Sequence, residues 1–504
     1  MRLALSLILL SSVAAKADDV AKADLNRFEK QLKAASATVG PSLVCVVASR
    51  SDQYPKAVGE SWRLGSFDRA EFLKVNPKKA TLADRLDLAS PEAIPDHGFA
   101  GGVIVDASGL VLVPYHTIEG ATKIYVHLAG GGGSYADLRA ADARSDLAVL
   151  KLVDPPKDLK PIRFGTVRLN PTDDSKPTVS TNSVGLLMAL SFTAEVAFDR
   201  PKSGLATISQ IRRPEYKGEA GTRFASLYNY APLLEYESQF HPGASGAALL
   251  NLDGELIGLG TTTAAVPTGD SGHGFALPLD VYLTRVIEHL RRGEEVEYGF
   301  LGVQQLRDQG GLPGRGIFVQ DLAGRSSPAA LAGVNPGETI YKINGVKVSS
   351  FEDLLLHVGH TLAGNEITME VGNAGRTRKV PVTLAKFKSE VPFVASVRPE
   401  PVFGLRVEYG SVLLQMQFNP FFGQRGYTDV PAGVLVRDLI PDSPAAAKFK
   451  QLGDTTRWVV TQVDGRAVGV PADFYKEAAG KKSVTLKVVD ANDSFGNVRE
   501  VKLP

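Results

Sequence analysis

At 504 residues the chain exceeds what one hydrophobic core normally holds, and three folded modules are the natural expectation. Its 44% apolar and 22% charged content are those of an ordinary globular protein, with 56 basic against 55 acidic side chains and a net charge of +1. That balance gives no footing for nucleic acid or an anionic membrane surface as partner. After the first residues no stretch approaches the roughly 18 apolar residues of a membrane span, so none is expected.

Met1 to Ala17 has a basic residue at Arg2, an apolar run from Leu3 to Val13 and a small-x-small site at Ala15-Lys16-Ala17. This is the pattern of a cleaved signal peptide, and it predicts export to the periplasm or the extracellular space. Asp18 to Ala35 reads as a helix, with Ala21, Leu25, Phe28, Leu32 and Ala35 on one face. Pro41 to Ala48 reads as a first strand. It contains the single cysteine, Cys45, which has no partner for an internal disulfide and four apolar neighbours, as a buried strand residue would. Ser49 to His97 shows no sustained period and reads as a long connection of unassigned role.

Gly101 to Val113 reads as two short strands around the turn Asp106-Ala107-Ser108-Gly109, running into Pro114-Tyr115-His116-Thr117-Ile118. Gly130 to Gly133 forms a hairpin tip, and no helix signal follows to make it a phosphate loop. Arg144-Ser145-Asp146 then stands at the mouth of another apolar strand, Leu147 to Leu152. From Pro161 to Tyr236 strand-like runs alternate with polar breaks. They lead to His241-Pro242-Gly243-Ala244-Ser245-Gly246-Ala247-Ala248, a serine on a small-residue bend before a strand. Ordinary hairpins also carry such a bend. Together, however, a histidine, an aspartate and a serine occur in one of the known orders for acyl transfer, each at a strand end. The imidazole can take the hydroxyl proton, the carboxylate can orient the imidazole, and backbone amides near the serine can meet the oxyanion.

Leu279 to Arg292 reads as a helix closed by Gly293. Beyond it the chain repeats. Ser327-Pro328-Ala329-Ala330 recurs as Ser443-Pro444-Ala445-Ala446, and Ile343-Asn344-Gly345-Val346 as Val463-Asp464-Gly465-Arg466. A second helix follows each turn, Phe351 to Gly359 and Pro471 to Ala479. His357 and His360 lie three apart on the first of these helices. With no third ligand in view they read as a solvated face, and no metal or other cofactor is expected.

These stretches resemble the HtrA-type (high-temperature-requirement) serine proteases, secreted trypsin-like enzymes with C-terminal PDZ domains. The match covers Gly109 to Ile118, Ser145 to Leu152, Pro242 to Gly258 and Gly272-His273-Gly274-Phe275-Ala276-Leu277-Pro278. The resemblance implies a mainly β fold: a two-barrel trypsin-like domain followed by two PDZ domains (α+β, small partly open barrels). Expected boundaries are 1–17 for the signal peptide, 18–296 for helix and protease, 297–390 for the first PDZ domain and 400–504 for the second. It further implies Ser245 as nucleophile, His116 as general base, Asp146 as its orienting acid, and the N–H groups of Gly243 and Ser245 as oxyanion hole. Phe240, with Thr263 and Ala264 opposite, would line a specificity pocket suited to small apolar side chains. Gly299, Phe300, Leu301 and Gly302 would hold a peptide carboxylate. The second copy, Val402-Phe403-Gly404-Leu405, lacks the first glycine and is followed by an insertion from Gln415 to Pro431.

The implied partners are unfolded or misfolded protein substrates and protein C-termini. The leading helix implies either a homotrimer or packing on its own barrel. The chain departs from the family pattern at Ala244, Ala247, Pro114 and Tyr115. None of these removes a reacting atom, so an active quality-control endopeptidase is carried forward. A tail-binding scaffold with a weakened oxyanion hole, and a purely structural assembly role, stand as the alternatives.

Overall fold

The computed structural model describes residues 22–52, 54, 67–90, 98–165, 167–170, 178–180, 186–191, 202–212, 231, 233–238, 245–261, 273–304, 316–373, 376–389, 391–416, 430–453, 457–491, 493 and 496–504. The expected signal peptide lies outside these residues. The chain divides into two compact units, Met1–Glu294 with Pro392–Ser396, and Glu295–Val391 with Val397–Pro504.

In the first unit, β1 (Leu43–Ser49), β2 (Gly98–Asp106), β3 (Leu110–Pro114), β4 (Lys123–Leu128), β5 (Gly133–Asp142) and β6 (Leu147–Leu152) pair in the order β5-β4-β1-β2-β3-β6. The last strand returns to β5 and closes a barrel. Every second residue points inward, so Val44, Val46, Ile104, Val111, Val113 and Leu150 meet in one core. The β2–β3 turn is the expected Asp-x-x-Gly: the Asp106 carboxylate accepts from the Ser108 amide at 2.8 Å, and Gly109 takes φ 91°. Burial pushes the Cys45 thiol up to about 12, which leaves no reactive thiolate.

A hairpin of β7 (Arg168–Asn170) and β8 (Thr178–Ser180) precedes the second barrel. That barrel comprises β9 (Leu186–Ser191), β10 (Lys202–Arg212), β11 (Leu233–Ser238), β12 (Ala248–Leu250), β13 (Leu256–Thr261) and β14 (His273–Pro278), closed in the order β10-β11-β14-β13-β12-β9. Its core includes Ala189, Leu234, Leu249, Ile257 and Ala276.

The leading helix, α1, spans residues 22–39 and runs four residues beyond the expected end, stopping at the short 3-10 turn Gly40–Ser42. Most of its side chains are exposed, Leu25 among them.

The connection between β1 and β2 is not uniformly irregular. Its described residues include two seven-residue helices, α2 (Arg69–Val75) and α3 (Ala80–Leu86), too short to show a helical period in sequence. The Asp68 carboxylate caps the first by accepting from the Glu71 amide at 3.0 Å. Phe72, Ala83, Leu86 and Leu88 are buried here, with Tyr54 and Phe67 ring to ring. The Tyr54 hydroxyl donates to the Leu86 carbonyl at 3.0 Å, and His127 Nε2 on β4 donates to that of Leu88 at 3.0 Å. The segment therefore sheathes the outside of the first barrel, and β1 is buried on both faces.

A helix on residues Val281–Arg292 (α5) ends the barrels, capped by Asp280 on the amides of Tyr282 and Leu283 and closed by Gly293 at φ 82°. Arg291 ties it to Asp106 at 2.9 Å.

The second unit holds two modules of one design. In the first, Ile317–Phe318, Thr339–Ile343, Glu366–Asn373 and Arg376–Thr383 form a sheet over Ala329, Leu354 and Val358. In the second, Leu405–Tyr409, Val434–Leu439, Trp458–Val463, Val484–Asp490 and Val498–Leu503 cover Ala445, Phe449 and Phe474. The repeated serines Ser327 and Ser443 each cap a helix, and both tight turns take the left-handed pair, Asn344–Gly345 at 50° and 82° and Asp464–Gly465 at 50° and 82°. His357 is buried instead of solvated, because it shares the inward stripe of its helix with Leu354 and Val358.

Lys386 is buried among Glu295 at 2.5 Å, Glu297 at 3.5 Å and Glu408, and Arg437 reaches Glu295 at 3.1 Å. Burial works against its charge, but the carboxylates outweigh that effect and raise its pKa. This cluster joins the end of the first module to the opening strands of the second.

Burial holds His127 neutral, its pKa pushed down to about 4 from 6.5. The unfolded chain takes up a proton as pH falls through about 6.5 and the fold does so only near 4, so stability is lost across that window. His127→Gln should flatten this loss by up to about 3 kcal/mol, read from urea midpoints between pH 6.5 and 4.

Candidate active site

The aspartate segment folds first in the chain of dependence. The Asp142 carboxylate accepts the Ser145 amide at 2.9 Å, and the turn closes as the Asp146 amide donates to the Ala143 carbonyl at 3.3 Å. Asp146 takes φ 52°, a left-handed conformation that carries strain in a non-glycine residue. Its backbone carbonyl accepts the Tyr115 amide at 2.8 Å and its Oδ1 the His116 amide at 2.7 Å. These two bonds fix the one-turn helix α4 (Tyr115–Ile118), which Pro114 starts as β3 ends. Asp146 thus positions the backbone of the histidine segment before its side chain acts on the imidazole.

The serine segment is held by backbone bonds to both barrels. The Ser245 carbonyl accepts the Gly101 amide of β2 at 2.8 Å, the Gly246 amide donates to Gly260 at 2.8 Å, and the Gly260 amide donates to Ala247 at 2.7 Å. The positive φ falls on Gly246, at 83°, and not on Ala247, so alanine at 247 carries no conformational penalty. A side chain at Gly246 would land on the Gly101 carbonyl.

These three segments bring the predicted side chains together. His116 Nδ1 donates to Asp146 Oδ2 at 2.6 Å, and His116 Nε2 meets Ser245 Oγ at 2.8 Å. With the Nδ1 proton held by the carboxylate, Nε2 is the acceptor facing the serine hydroxyl. The Asp146 side chain is 5% exposed and that of His116 25%, so the carboxylate is sealed while the imidazole edge reaches solvent. Thr261 Oγ1 also donates to Asp146 Oδ2, at 3.4 Å. Sequence reading missed Thr261 and Gly101. Thr261 ends an unremarkable strand, and Gly101 is one small residue among several. Gly243, Ala244, Phe240, Thr263 and Ala264 lie outside the described residues.

In the first repeat module, Gly302 at φ 81° packs on Ser327, and its carbonyl accepts the Ala323 amide at 2.8 Å. Gly404 at φ 87° packs on Ser443 and accepts from Ile440 at 2.8 Å in the same way. The edges then differ. Gly299–Phe300 pairs with Ala385–Lys386, and a side chain at Gly299 would strike the carbonyls of Val358 and Thr361 at the end of the helix Phe351–His360. In the second module Val402 and Leu405 bond to each other, at 3.0 and 2.9 Å, and the Val407 amide donates to the Tyr475 hydroxyl at 3.3 Å. Amides at 405 and 407, alternate residues on one strand edge, are therefore already taken.

A family model for a trypsin-like peptidase domain matches residues 100–259, and one for a PDZ domain matches residues 290–372. The chain is similar to the periplasmic pH-dependent serine endoprotease DegQ of Escherichia coli (strain K12), with 28% identity over 418 residues, 81% of this chain and 82% of that protein. It is also similar to a probable periplasmic serine endoprotease, DegP-like, of Halomonas elongata, with 31% identity over 290 residues, 56% of this chain and 55% of that protein. Among solved structures, the HtrA-type protease AlgW with tripeptide aligns with 73% of this chain and 97% of its own at 22% identity and a TM-score of 0.45. Two closed barrels and a PDZ domain in this order define a trypsin-like serine endopeptidase. More narrowly, the two family models and these relatives support an HtrA-type serine protease with a PDZ domain.

Gly246→Ala should lower the melting temperature and reduce turnover of an unstructured protein at least about 100-fold, because the serine turn can no longer approach Gly101. Ala247→Gly should leave both near the parent values.

Proposed function

We propose that this endopeptidase acts in the periplasm on unfolded or damaged proteins, with Ser245 attacking the peptide carbonyl. The observation that carries the reading is the continuous relay of 2.8 Å from Ser245 Oγ to His116 Nε2 and 2.6 Å from His116 Nδ1 to Asp146. His116 takes the hydroxyl proton as Oγ attacks and returns it to the leaving amine. Asp146 keeps the imidazole in the required tautomer and stabilises it while charged. The amides of Gly243 and Ser245 are the proposed donors to the oxyanion, and Phe240, with Thr263 and Ala264, the proposed wall selecting small apolar side chains. Export and periplasmic residence rest on the leader pattern of Met1 to Ala17 and on the periplasmic location named for both relatives.

The first repeat module is the proposed receptor for protein C-termini. A tail would add as a strand beside Val303–Gln304, with its carboxylate at the loop Gly299 to Gly302. The second module is closed to the same mode by its Val402–Leu405 bridge and by Tyr475. Assembly into a homotrimer through α1 is the corresponding proposal for the leading helix.

A serine-directed phosphonate should label the parent chain and not Ser245→Ala, which should also lose about a million-fold in kcat. Asp146→Asn should retain labelling at a slow rate and lose about ten-thousand-fold in kcat. An unlabelled, inactive parent would leave the tail-binding scaffold as the better reading. Titrating a hydrophobic C-terminal peptide into the Ser245→Ala chain should give one site per chain, lost with Gly302→Ala and kept with Gly404→Ala.

A further inference from the structure

We propose that the short strand Phe393–Ala395 is a positioning element for Asp146, bracing the aspartate turn from outside the first barrel. This rests on the proposed role of Asp146 in the relay. In sequence, Pro392–Ser396 interrupts the second unit, yet it belongs to the first. It pairs antiparallel with the end of β5, Phe393 against Asp142, Val394 against Ala141 and Ala395 against Ala140. The site is available because β4 pairs only with Gly133 to Tyr135 and leaves the far end of β5 uncovered on that edge.

The pairing reaches the turn itself. The Ala143 amide donates to the Pro392 carbonyl at 3.2 Å, and at the other end the Ser396 amide donates to Arg139 at 3.1 Å. Ala143 in turn supplies the carbonyl that accepts the Asp146 amide. Two hydrogen bonds, joined through Ala143, therefore link the added strand to the residue that sits at φ 52°. A strained residue keeps its conformation only where its surroundings over-determine it, and here the turn is almost fully enclosed, with Arg144 2%, Ser145 0% and Asp146 4% exposed. Without the strand, the Ala143 amide would lose its acceptor and the turn one of its fixed ends. The strand suits an edge: Pro392 needs no amide there, and Val394 is 38% exposed.

The register specifies the test. Bonded pairs at 392/143 and 396/139 make 394/141 the intervening bonded pair, so the Val394 amide faces β5 and the Ala395 amide faces away. Val394→Pro in the full chain should lower kcat about tenfold on an unstructured substrate, with KM within twofold. The acid limb of its kcat/KM profile should move to lower pH, because a displaced Asp146 stabilises the imidazolium less. Val394→Ala and Ala395→Pro, which keep that bond, should stay within twofold of the parent with an unmoved limb.

An unchanged kcat in Val394→Pro, or a loss without the pH shift, overturns the inference. Should circular dichroism show Val394→Pro unfolded, the milder Phe393→Gly/Val394→Gly keeps every amide while weakening the strand. It should lose about threefold in kcat with the same shift, and parental turnover there overturns the inference. A parent chain that no phosphonate labels overturns the relay reading and this inference with it. A labelled parent beside an unaffected Val394→Pro overturns this inference alone.

Discussion

The bond from the Gly101 amide to the Ser245 carbonyl, 2.8 Å long, is the constraint on which the site depends. His116 and Asp146 come from the first barrel and Ser245 from the second, so the relay exists only if the two barrels meet in one register. A hydrogen bond between imidazole and hydroxyl tolerates only a few tenths of an ångström, and side chains alone could not hold two barrels to that. The chain uses backbone against backbone, with glycine on each side. A side chain at Gly101 would strike Gly246, and one at Gly246 would strike Gly101. The Gly246–Gly260 bond then fixes the same turn to its own barrel.

Asp146 is the second organising residue, and its backbone matters as much as its carboxylate. It receives the amides of Tyr115 and His116 and the ring Nδ1 of His116, so orientation of the imidazole and placement of its peptide come from one residue. Under the proposed relay, a sealed carboxylate beside a partly exposed imidazole is a division of labour: charge is stabilised where water is excluded, and substrate arrives where it is not.

Most of this was legible in the sequence because it is local. The three segments lie at strand ends that announce themselves by alternation and turn residues, the helix after the barrels carries its cap at Asp280 and its stop at Gly293, and the repeated modules share serine caps and Asn-Gly or Asp-Gly turns. What escaped is tertiary or short. Seven-residue helices in the β1–β2 connection show no period, although Asp68 three residues before Glu71 was a usable signal. His357 looked solvated because a histidine on a helix gives no sign of which face is inward. Nothing local marks Phe393–Ala395 as a strand, since its partner is some 250 residues earlier and pairing is what creates it. The buried Lys386 cluster likewise assembles from residues scattered between 295 and 437, each an ordinary surface charge when read alone.

Under the proposed relay, its division between two barrels also sets when the enzyme comes to life. During synthesis the imidazole and its carboxylate are made before the hydroxyl they would activate. Later, even with Ser245 present, its bend has no shape until β2 and Gly260 grip it from opposite sides. Under the proposed relay, a chain that has folded only its first barrel holds no nucleophile and is inert toward its neighbours.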